Sequence, residues 1–522
     1  MRTSNGLAGG LRSGAAQLAR ATEIATVLSA SGLGWLAQAL GLVHPGRQDP
    51  HTPGSPVSMP ERVRLTLERL GPAFVKAGQM LAVRPDYVPL EYAEALRGLH
   101  TDAAPFAAAE AVAIVEAELG SPLASLYAEF DRAPFAAASL SQVHRARLRD
   151  GRCVVVKIQR PGIQMQVERD LALLATLARA FERHQPRSIA FRPSQAVAEL
   201  TDYTRRELDF RKEARTAEDL HQLFAGDDHV VIPTVINERS TARVLTTEFL
   251  DGHPPAPAAD LQRAGLNPAA GLRAGAEAML RQIFEFGLFH ADPHPGNVLL
   301  LPGDRIGFVD FGMFGRLDPG ERRRMAVMFW ALIAGDYEAV GGQLLRLSDF
   351  LPGADPDGFR AAFADTVEEW AGRRASDFSI PRLLLHELAL GARHGIVFPP
   401  ELMLLARALV TLEATAMIIH PELNLAELAR PLLPELRHIL LPSAQAVREH
   451  WHHHRFDYLH LAIELPALVP EAIARLREGP TRPPPPPPPA TAHPHSRHWL
   501  SVGGAFAAGA GLATLAHKRR RA

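Results

Sequence analysis

The residues with the clearest chemistry lie in a short segment past the middle of the chain. Asp292 is followed after four residues by Asn297, and Asp310 opens an Asp-Phe-Gly sequence shortly downstream. Amide and carboxylate oxygens are the hard ligands that Mg²⁺ prefers, so Asn297 and Asp310 are predicted metal ligands. Asp292 is a predicted catalytic residue, because its carboxylate can orient or deprotonate an attacking hydroxyl or water. The spacing predicts phosphoryl-transfer chemistry with ATP and Mg²⁺.

A strand lysine supplies a second part of this chemistry. Asp150 and Gly151 separate two alternating segments and predict a β-hairpin, with Lys157 on its second strand. Alternation places Lys157 on one face with Val155, so its ammonium can face a cleft and bind phosphate as a second catalytic residue. A long helix is predicted to begin near Ser194 and to run past residue 214, and it must carry the acidic partner of Lys157. Three carboxylates on that helix are candidates: Glu207, Asp209 and Glu213.

Together these signatures are typical of a protein-kinase-like fold, but the loop over the phosphates is unusual. Kinases have Gly-x-Gly-x-x-Gly there, and alanine in place of glycine restricts the loop. The residues predicted to lie over the nucleotide are Ala136, Ala137, Ala138 and Ser139. Only a few residues separate the Asp-Phe-Gly sequence from a helix predicted at Pro319, and no Ala-Pro-Glu follows. The sequence therefore argues against phosphorylation of protein substrates in trans.

These residues resemble the UbiB/ADCK atypical kinase-like family, which supports ubiquinone biosynthesis. Four motifs between about residues 61 and 314 carry the resemblance: Lys-x-Gly-Gln at 76–79, the Ala-rich loop at 136–139, Glu-x-Asp at 207–209 and the catalytic loop at 290–297. The resemblance implies that Lys76 and Gln79 are regulatory residues that pair with Glu207 or Asp209 over the active site. It also implies that Glu213 holds Lys157. By family order, Glu248 and Leu250 lie at a hinge that contacts adenine.

The resemblance implies a function as well. Members of the family bind ATP with Mg²⁺ and are associated with an ATPase activity that membrane lipids stimulate. The implied partners are membrane lipids and isoprenoid quinone precursors, with quinone-biosynthesis enzymes as further partners. Two alternatives stay open: a phosphotransferase that acts on a small-molecule or lipid hydroxyl, and a catalytically silent nucleotide-sensing scaffold.

Composition limits the classes of protein that fit. A chain of 522 residues with 47% hydrophobic residues is long enough for several structural units with sizeable cores. A formal net charge of −1 argues against a nucleic-acid binder that depends on phosphate neutralisation. The single cysteine, Cys153, excludes an intramolecular disulfide framework and fits a reducing compartment. Among strand valines, Cys153 is predicted to be a packed thiol.

We predict an α+β, protein-kinase-like bilobal fold with an N-terminal helical extension, helical C-terminal additions and a C-terminal membrane anchor. The predicted units, in chain order, are a membrane-associating or targeting segment with a linker (1–60), the helical extension with the Lys-x-Gly-Gln motif (61–130), the N-lobe (131–255), the C-lobe core (256–345), a helical region (346–478), a Pro-rich linker (479–496) and a transmembrane anchor with a basic tail (497–522).

Two apolar stretches suggest contact with a membrane. Residues 24–43 carry no charge, but polar residues interrupt them, which favours a membrane-surface or partner-facing helix over a span. Residues 499–516 also lack charge and begin with a tryptophan, so they predict an anchor, with a flexible Ala/Gly tail as the alternative. The predicted location is the bacterial inner membrane with the catalytic domain in the cytoplasm, and a mitochondrial location is the alternative.

Overall fold

The computed structural model describes residues 19–34, 37, 42, 57–82, 84, 87–99, 104–184, 193–371, 379–423 and 425–432. The predicted Pro-rich linker and the predicted C-terminal anchor lie outside the described residues.

Helices make up most of the described chain. In chain order they are α1 (Met59–Leu70), α2 (Pro72–Leu81), α3 (Leu90–Leu96), α4 (Ala108–Leu119), α5 (Leu123–Leu126), α6 (Ile163–His184), α7 (Pro193–Glu207), α8 (Phe210–Leu223), α9 (Ala258–Arg263), α10 (Pro268–Leu280), α11 (Pro319–Ala334), α12 (Tyr337–Leu347), α13 (Pro356–Ala371), α14 (Ile380–Arg393), α15 (Pro400–Ile419) and α16 (Leu425–Ala429). Residues 19–30 are helical as well. A π-helical turn continues α10 over Arg281–Phe286, and two 3₁₀ turns cover Asn237–Arg239 and Arg430–Leu432.

The strands of the described chain are short, with at most seven residues each. They are β1 (Glu129–Phe130), β2 (Ala136–Ala137), β3 (Ser141–Arg147), β4 (Cys153–Gln159), β5 (Val230–Val231), β6 (Val244–Glu248), β7 (Leu288–His290), β8 (Val298–Leu301), β9 (Arg305–Phe308), β10 (Phe314–Arg316), β11 (Asp349–Phe350) and β12 (Ile396–Val397). The mixture confirms the predicted α+β class.

The N-lobe sheet presents one apolar face and one face toward the candidate site. Its strands run in the order β1-β3-β4-β6, with β2 also paired to β3, and all of these pairs are antiparallel. The predicted hairpin joins β3 to β4, and Gly151 in its turn adopts a φ of 93°. Val154, Val156 and Ile158 are buried in the lobe core, so alternation turns Lys157 to the opposite face.

Cys153 differs from its prediction. It begins β4 at the end of the strand, where it is exposed rather than packed. The valines beside Cys153 in sequence pack into the lobe core, whereas alternation directs Cys153 away from them. Its position next to strand valines in the sequence therefore did not indicate whether the thiol is buried.

Residues 19–34 pack against the chain's own helices. Ile24, Leu28 and Leu33 are buried in one cluster with residues of α2, α6 and α7. Arg20 donates from Nε to an Asp170 carboxylate oxygen at 2.8 Å, and Asp170 is buried. The apolar face that suggested a membrane surface is therefore occupied within the protein over these residues.

The long helix predicted from Ser194 past residue 214 is wrong in one respect, because it is two helices. The chain leaves helical geometry at Asp209, whose φ of −115° and ψ of 93° are extended. The Asp209 carboxylate accepts a hydrogen bond from the backbone N–H of Arg211 at 3.2 Å and caps α8. This break lets α8 run in a different direction from α7. The positions of Glu207 and Glu213 can therefore not be compared on one helical wheel.

The C-lobe core places the catalytic segment between short strands. β8 and β9 form the predicted hairpin, and β7 pairs with β10 on either side of the catalytic and Asp-Phe-Gly loops. The predicted helix start is confirmed at α11, whose first residue is Pro319. Asp318 caps this helix and forms a reciprocal capping box with Glu321. These short connections fix the two loops relative to each other.

One helix of the described part, α15, is long and apolar enough to cross a membrane. In this fold it packs against α14 and against β10. The Thr415 hydroxyl donates to the Pro293 carbonyl oxygen at 2.9 Å, which ties α15 to the catalytic loop. More than half of its apolar window is buried, as in the core helix of a folded lobe.

Candidate active site

A cavity of about 490 Å³ lies where the N-lobe sheet faces the catalytic segment. Its walls include residues from the helical extension, the N-lobe, the C-lobe and α15: Lys76, Ser139, Lys157, Asp292, Asp310 and Arg407. Residues more than 300 positions apart in sequence therefore share one space.

The catalytic loop is held by its own hydrogen bonds between β7 and β8. Asn297 donates from Nδ2 to the Asp292 carbonyl oxygen at 3.1 Å, and its backbone N–H donates to the His294 carbonyl oxygen at 2.8 Å. The backbone N–H of Asp292 donates to His290 Nδ1 at 3.1 Å. These bonds fix the Asn297 side chain relative to the backbone of Asp292.

His290 is a positioning residue for this loop. Burial lowers the pKa of His290 to about 4, so the ring is neutral near pH 7. A neutral ring that accepts at Nδ1 carries its proton on Nε2, and that buried nitrogen has no hydrogen-bond partner among the described residues. His290 therefore orients the backbone of Asp292 without adding charge to the site.

Lys157 and Glu213 form a two-pronged ion pair at the back of the cavity. The Lys157 ammonium donates to the two Glu213 carboxylate oxygens at 2.7 and 2.9 Å. It also lies 3.7 Å from Asp310 Oδ2. Burial disfavours the ammonium, but Asp310 and Glu213 outweigh burial and raise the Lys157 pKa above its ordinary value. Lys157 therefore stays cationic and is available to bind phosphate.

Asp310 is held ionised opposite this pair. Burial alone would raise its pKa, but the Lys157 charge and a hydrogen bond of 2.8 Å from the backbone N–H of Gly312 lower that pKa to about 2. The described residues contain no group of three His, Cys, Asp or Glu side chains placed to hold a metal. Mg²⁺ commonly binds one or two protein oxygens together with substrate phosphates, and an Asp310 carboxylate with an Asn297 amide oxygen fits that donor set.

The predicted phosphate loop reaches the cavity only in part. Ala138 and Ser139 line it, whereas Ala136 and Ala137 form β2 and pair with β3. The Ala138 carbonyl oxygen accepts a hydrogen bond from Arg160 Nε at 2.8 Å. This bond and the strand pairing hold the Ala-rich segment in place.

The two predicted hinge residues lie outside the described cavity wall. Glu248 is exposed at the end of β6, and its carboxylate accepts a hydrogen bond from the backbone N–H of Thr234 at 3.4 Å. Leu250 is buried and packs close to Gly307. The cavity therefore gathers the phosphate end of the predicted site but not the predicted adenine contacts.

Two domain families match this chain. The ABC1 atypical kinase-like domain matches residues 98–344, and the UbiB helical domain matches residues 363–424. A protein named probable protein kinase UbiB from Marinobacter nauticus is 33% identical over 435 residues, which cover 82% of this chain and 79% of that protein. The chain belongs to the UbiB atypical kinase-like family. The predicted resemblance and the kinase-like fold are thereby confirmed.

A second relative and one solved structure also align over most of this chain. A protein of the same name from Xylella fastidiosa is 32% identical over 394 residues, which cover 74% of this chain and 71% of that protein. A solved structure described as the complex of Rv3197 with erythromycin from Mycobacterium tuberculosis aligns with a TM-score of 0.48 and 24% identity, over 72% of this chain and 95% of that one.

The UbiB Lys-x-Gly-Gln segment lies on α2, at the cavity. Lys76 is buried and ion-pairs with Glu207 at the end of α7. The pairing expected for Gln79 is wrong, and Asp209, the alternative acid, is not the partner of Lys76. Gln79 donates from Nε2 to the Leu99 carbonyl oxygen at 3.4 Å, and Asp209 is engaged as the cap of α8, where its carboxylate pairs with Arg211 at 2.8 Å. Of the predicted regulatory set, only Lys76 and Glu207 pair with each other.

A further residue of the candidate site comes from α15 and was missed in the sequence. Arg407 donates from Nη2 to Asp292 Oδ2 at 3.0 Å and also lines the cavity. Arg407 follows Asp292 by 115 positions and belongs to no recognised short motif, so no local signal indicated it. Its charge faces the predicted catalytic carboxylate directly, which fixes that carboxylate at the cavity wall.

Proposed function

We propose that this UbiB-family chain binds ATP with Mg²⁺ and acts as a membrane-lipid-coupled ATPase that supports ubiquinone biosynthesis. The observation that carries the proposal is a single cavity lined by an ion-paired lysine, two aspartates and an asparagine. These residues are Lys157, Glu213, Asp292, Asn297 and Asp310. The name and family of the bacterial relatives support the link to ubiquinone.

Each residue has a separate task in the proposed reaction. Lys157 binds the phosphates and Glu213 keeps its ammonium pointed at them. Asn297 and Asp310 would hold Mg²⁺, which when bound neutralises charge on the phosphates. Asp292 orients the attacking water, and Arg407 keeps the Asp292 carboxylate in place. The proposal assigns most of the rate to positioning and to fixed charge.

The helix α2 supplies the proposed lipid coupling. Its Lys76 closes one side of the cavity by pairing with Glu207. A lipid can shift this arrangement only if it binds the open state more tightly than the closed one. We propose that membrane binding favours the open state, with the catalytic lobes on the cytoplasmic side of a bacterial inner membrane.

A phosphotransferase that acts on a small-molecule or lipid hydroxyl is the second candidate. The volume of the cavity favours it, because about 490 Å³ leaves room beside the phosphates for a second small substrate next to Asp292. In that reaction Asp292 would accept the proton of the hydroxyl. Transfer of labelled γ-phosphate into an extracted lipid or metabolite separates this candidate from an ATPase.

Phosphate release tests the proposal. The full chain is incubated with Mg²⁺ and ATP, with and without anionic liposomes that carry a quinone-precursor phenol, beside Asp310→Asn. The proposal expects lipid-stimulated release that Asp310→Asn loses. ATP binding without release under any condition would contradict an ATPase and favour transfer to another acceptor or a nucleotide-sensing scaffold.

A further inference from the structure

One face of α7 lines the cavity, and a tyrosine lies at its centre. The residues of this face recur at helical spacing: Glu199, Asp202, Tyr203, Arg206 and Glu207. Glu199, Tyr203 and Glu207 follow each other at intervals of four, so they form one stripe along the helix. Tyr203 is therefore flanked, one turn away on either side, by a carboxylate that lines the same cavity.

Both flanking carboxylates are tied to the helical extension. Glu199 Oε2 accepts a hydrogen bond from Arg84 Nη1 at 2.9 Å, and Glu207 pairs with Lys76. These two pairs hold α7 one turn before and one turn after Tyr203. The tyrosine thus lies on a fixed section of helix, which suits a group that must act at a defined point in the cavity.

The hydroxyl of Tyr203 has no hydrogen-bond partner among the described residues. The side chain is half-buried at the cavity wall. Burial and the nearby Glu207 carboxylate raise the pKa of Tyr203 well above its ordinary value, so the hydroxyl is neutral near pH 7. A neutral hydroxyl can both donate and accept a hydrogen bond. Tyr203 therefore brings a hydrogen-bonding group to the cavity that no other described side chain uses.

The other charges near this hydroxyl belong to the attacking side of the proposed site. After burial and Glu207, the groups that shift the pKa of Tyr203 are Arg407, which lowers it, and Asp292 and Asp310, which raise it. All of them line the same cavity as Tyr203. Arg407 also donates to Asp292 Oδ2 at 3.0 Å. Tyr203 on α7 and Arg407 on α15 therefore both lie near the Asp292 carboxylate.

We propose that Tyr203 holds the attacking water together with Asp292. This inference rests on the proposed ATPase function and adds a residue to it. One O–H of the water donates to the Asp292 carboxylate and the other to the Tyr203 oxygen, which leaves a lone pair of the water directed at the γ-phosphorus. With Asp292 alone, the water would rotate about its single hydrogen bond.

The transfer balances without a change in the charge of Tyr203. The water oxygen forms a bond to the γ-phosphorus while the bond from that phosphorus to the β–γ bridging oxygen breaks, so ADP and phosphate form. One water proton passes to Asp292, which later releases it to solvent, and the other stays on the phosphate product. Tyr203 keeps its own proton throughout, as expected for a hydroxyl whose pKa burial raises.

Removal of the hydroxyl alone tests this assignment. Tyr203→Phe keeps the ring, and Tyr92→Phe, which changes a half-buried tyrosine on α3 outside the described cavity wall, is the matched control. Phosphate release by the full chain with Mg²⁺ gives kcat and KM for ATP, calorimetric titration gives the ATP affinity, and urea unfolding gives the midpoint. Tyr203→Phe is expected to lower kcat roughly three- to tenfold, with the other three quantities at their wild-type values. Tyr92→Phe should match wild type in all four.

Four results would overturn the inference. An unchanged kcat in Tyr203→Phe would mean that the hydroxyl does not hold the water. A loss confined to KM or ATP affinity would assign the hydroxyl to the nucleotide instead. Altered stimulation by liposomes with unchanged basal kcat would assign it to the pair of Lys76 and Glu207. A lower unfolding midpoint together with lower kcat would mean a structural role.

The same assays separate this inference from the function on which it rests. A wild type that binds ATP but releases no phosphate would overturn the proposed ATPase and the role of Tyr203 together. Phosphate release by wild type that Tyr203→Phe retains in full would overturn the role of Tyr203 alone.

Discussion

The cleft and the C-terminal helical region each bury a glutamate, but among the described residues only the glutamate in the cleft has a cationic partner. In the cleft, Glu213 is 7% exposed and both of its carboxylate oxygens accept hydrogen bonds from Lys157. On α14, Glu387 is 1% exposed, and neither carboxylate oxygen has a hydrogen-bond partner among the described residues. Burial raises the pKa of Glu387 to about 8, so it is largely protonated at neutral pH.

The difference indicates where this protein retains buried charge. Replacing a buried ion pair by apolar residues often costs little stability, so stability alone does not require the Lys157 pair. A cationic lysine beside an ionised Asp310 is needed only where an anionic group and a metal must be held. In the helical region the fold instead lowers the cost of burial by keeping Glu387 neutral.

Removing the cleft cation should give the largest effect. Lys157→Met is expected to lower phosphate release from ATP by about a thousandfold, because the phosphates lose their fixed cation and Glu213 loses its partner. Steady-state phosphate release measures this loss. Lys212→Met, an exposed lysine on α8, is the matched control and should retain wild-type release. Release by Lys157→Met within about fivefold of wild type would remove the cleft pair from the reaction.

Glu387 should affect stability rather than turnover. Its folded-state pKa of about 8 lies above the ordinary value of 4.5, so the folded protein holds the extra proton between these values. The contribution of Glu387 to the free energy of unfolding should therefore be highest below about pH 4.5 and fall as the pH rises toward 8. In Glu387→Gln, the free energy of unfolding is expected to fall by about 3 kcal/mol less between pH 5 and pH 8 than in wild type.

Urea unfolding at pH 5 and pH 8 measures this difference. The variant should gain stability over wild type at pH 8 and show little difference at pH 5. Glu401→Gln, which changes a half-buried carboxylate in the first turn of α15, serves as the control. Equal pH dependence in wild type and Glu387→Gln would show that Glu387 is not the buried acid responsible.

The arginine that joins the two regions should have a smaller effect on turnover. Arg407→Gln removes the charge that fixes Asp292 from α15 and is expected to slow phosphate release by about tenfold. The loss should appear in kcat with little change in KM for ATP, because Arg407 acts on the attacking side. Arg393→Gln, at the exposed end of α14, is the control. A change confined to KM would contradict this role.

The smallest expected effect concerns the covering helix. Lys76→Ala breaks the pair with Glu207, so phosphate release without liposomes should rise about threefold and stimulation by liposomes should shrink. Parallel assays with and without liposomes measure both quantities. Identical turnover with and without liposomes, in wild type and in the variant, would remove α2 from lipid coupling.

Short-range spacing in the sequence was enough to locate several residues that line the cavity. Lys157 follows from a hairpin and an alternating strand, and Asn297 and Asp310 follow from a loop of fixed length. Glu213 required the family resemblance, because three carboxylates on the predicted helix were open candidates. The break at Asp209 separates them, and its only local signal is an aspartate at a helix N-cap.

The remaining features depend on contacts between distant segments. Arg407 reaches Asp292 because α15 packs onto the catalytic loop, and the apolar pattern of α15 does not indicate which residue faces that loop. The pairing that the family resemblance implied for Gln79 is wrong, because its side-chain amide donates to the Leu99 carbonyl oxygen instead.

Calorimetric titration of ATP, with and without Mg²⁺, into wild type and Asp310→Asn is the most direct test of the central claim that the charged cleft is a Mg²⁺-dependent ATP site. Wild type should bind ATP more tightly when Mg²⁺ is present. Asp310→Asn should bind metal-free ATP at least as well as wild type, since a carboxylate beside the phosphates is gone, but should gain nothing from Mg²⁺. Wild-type binding that does not depend on Mg²⁺, or a full Mg²⁺ effect retained in Asp310→Asn, would contradict the claim.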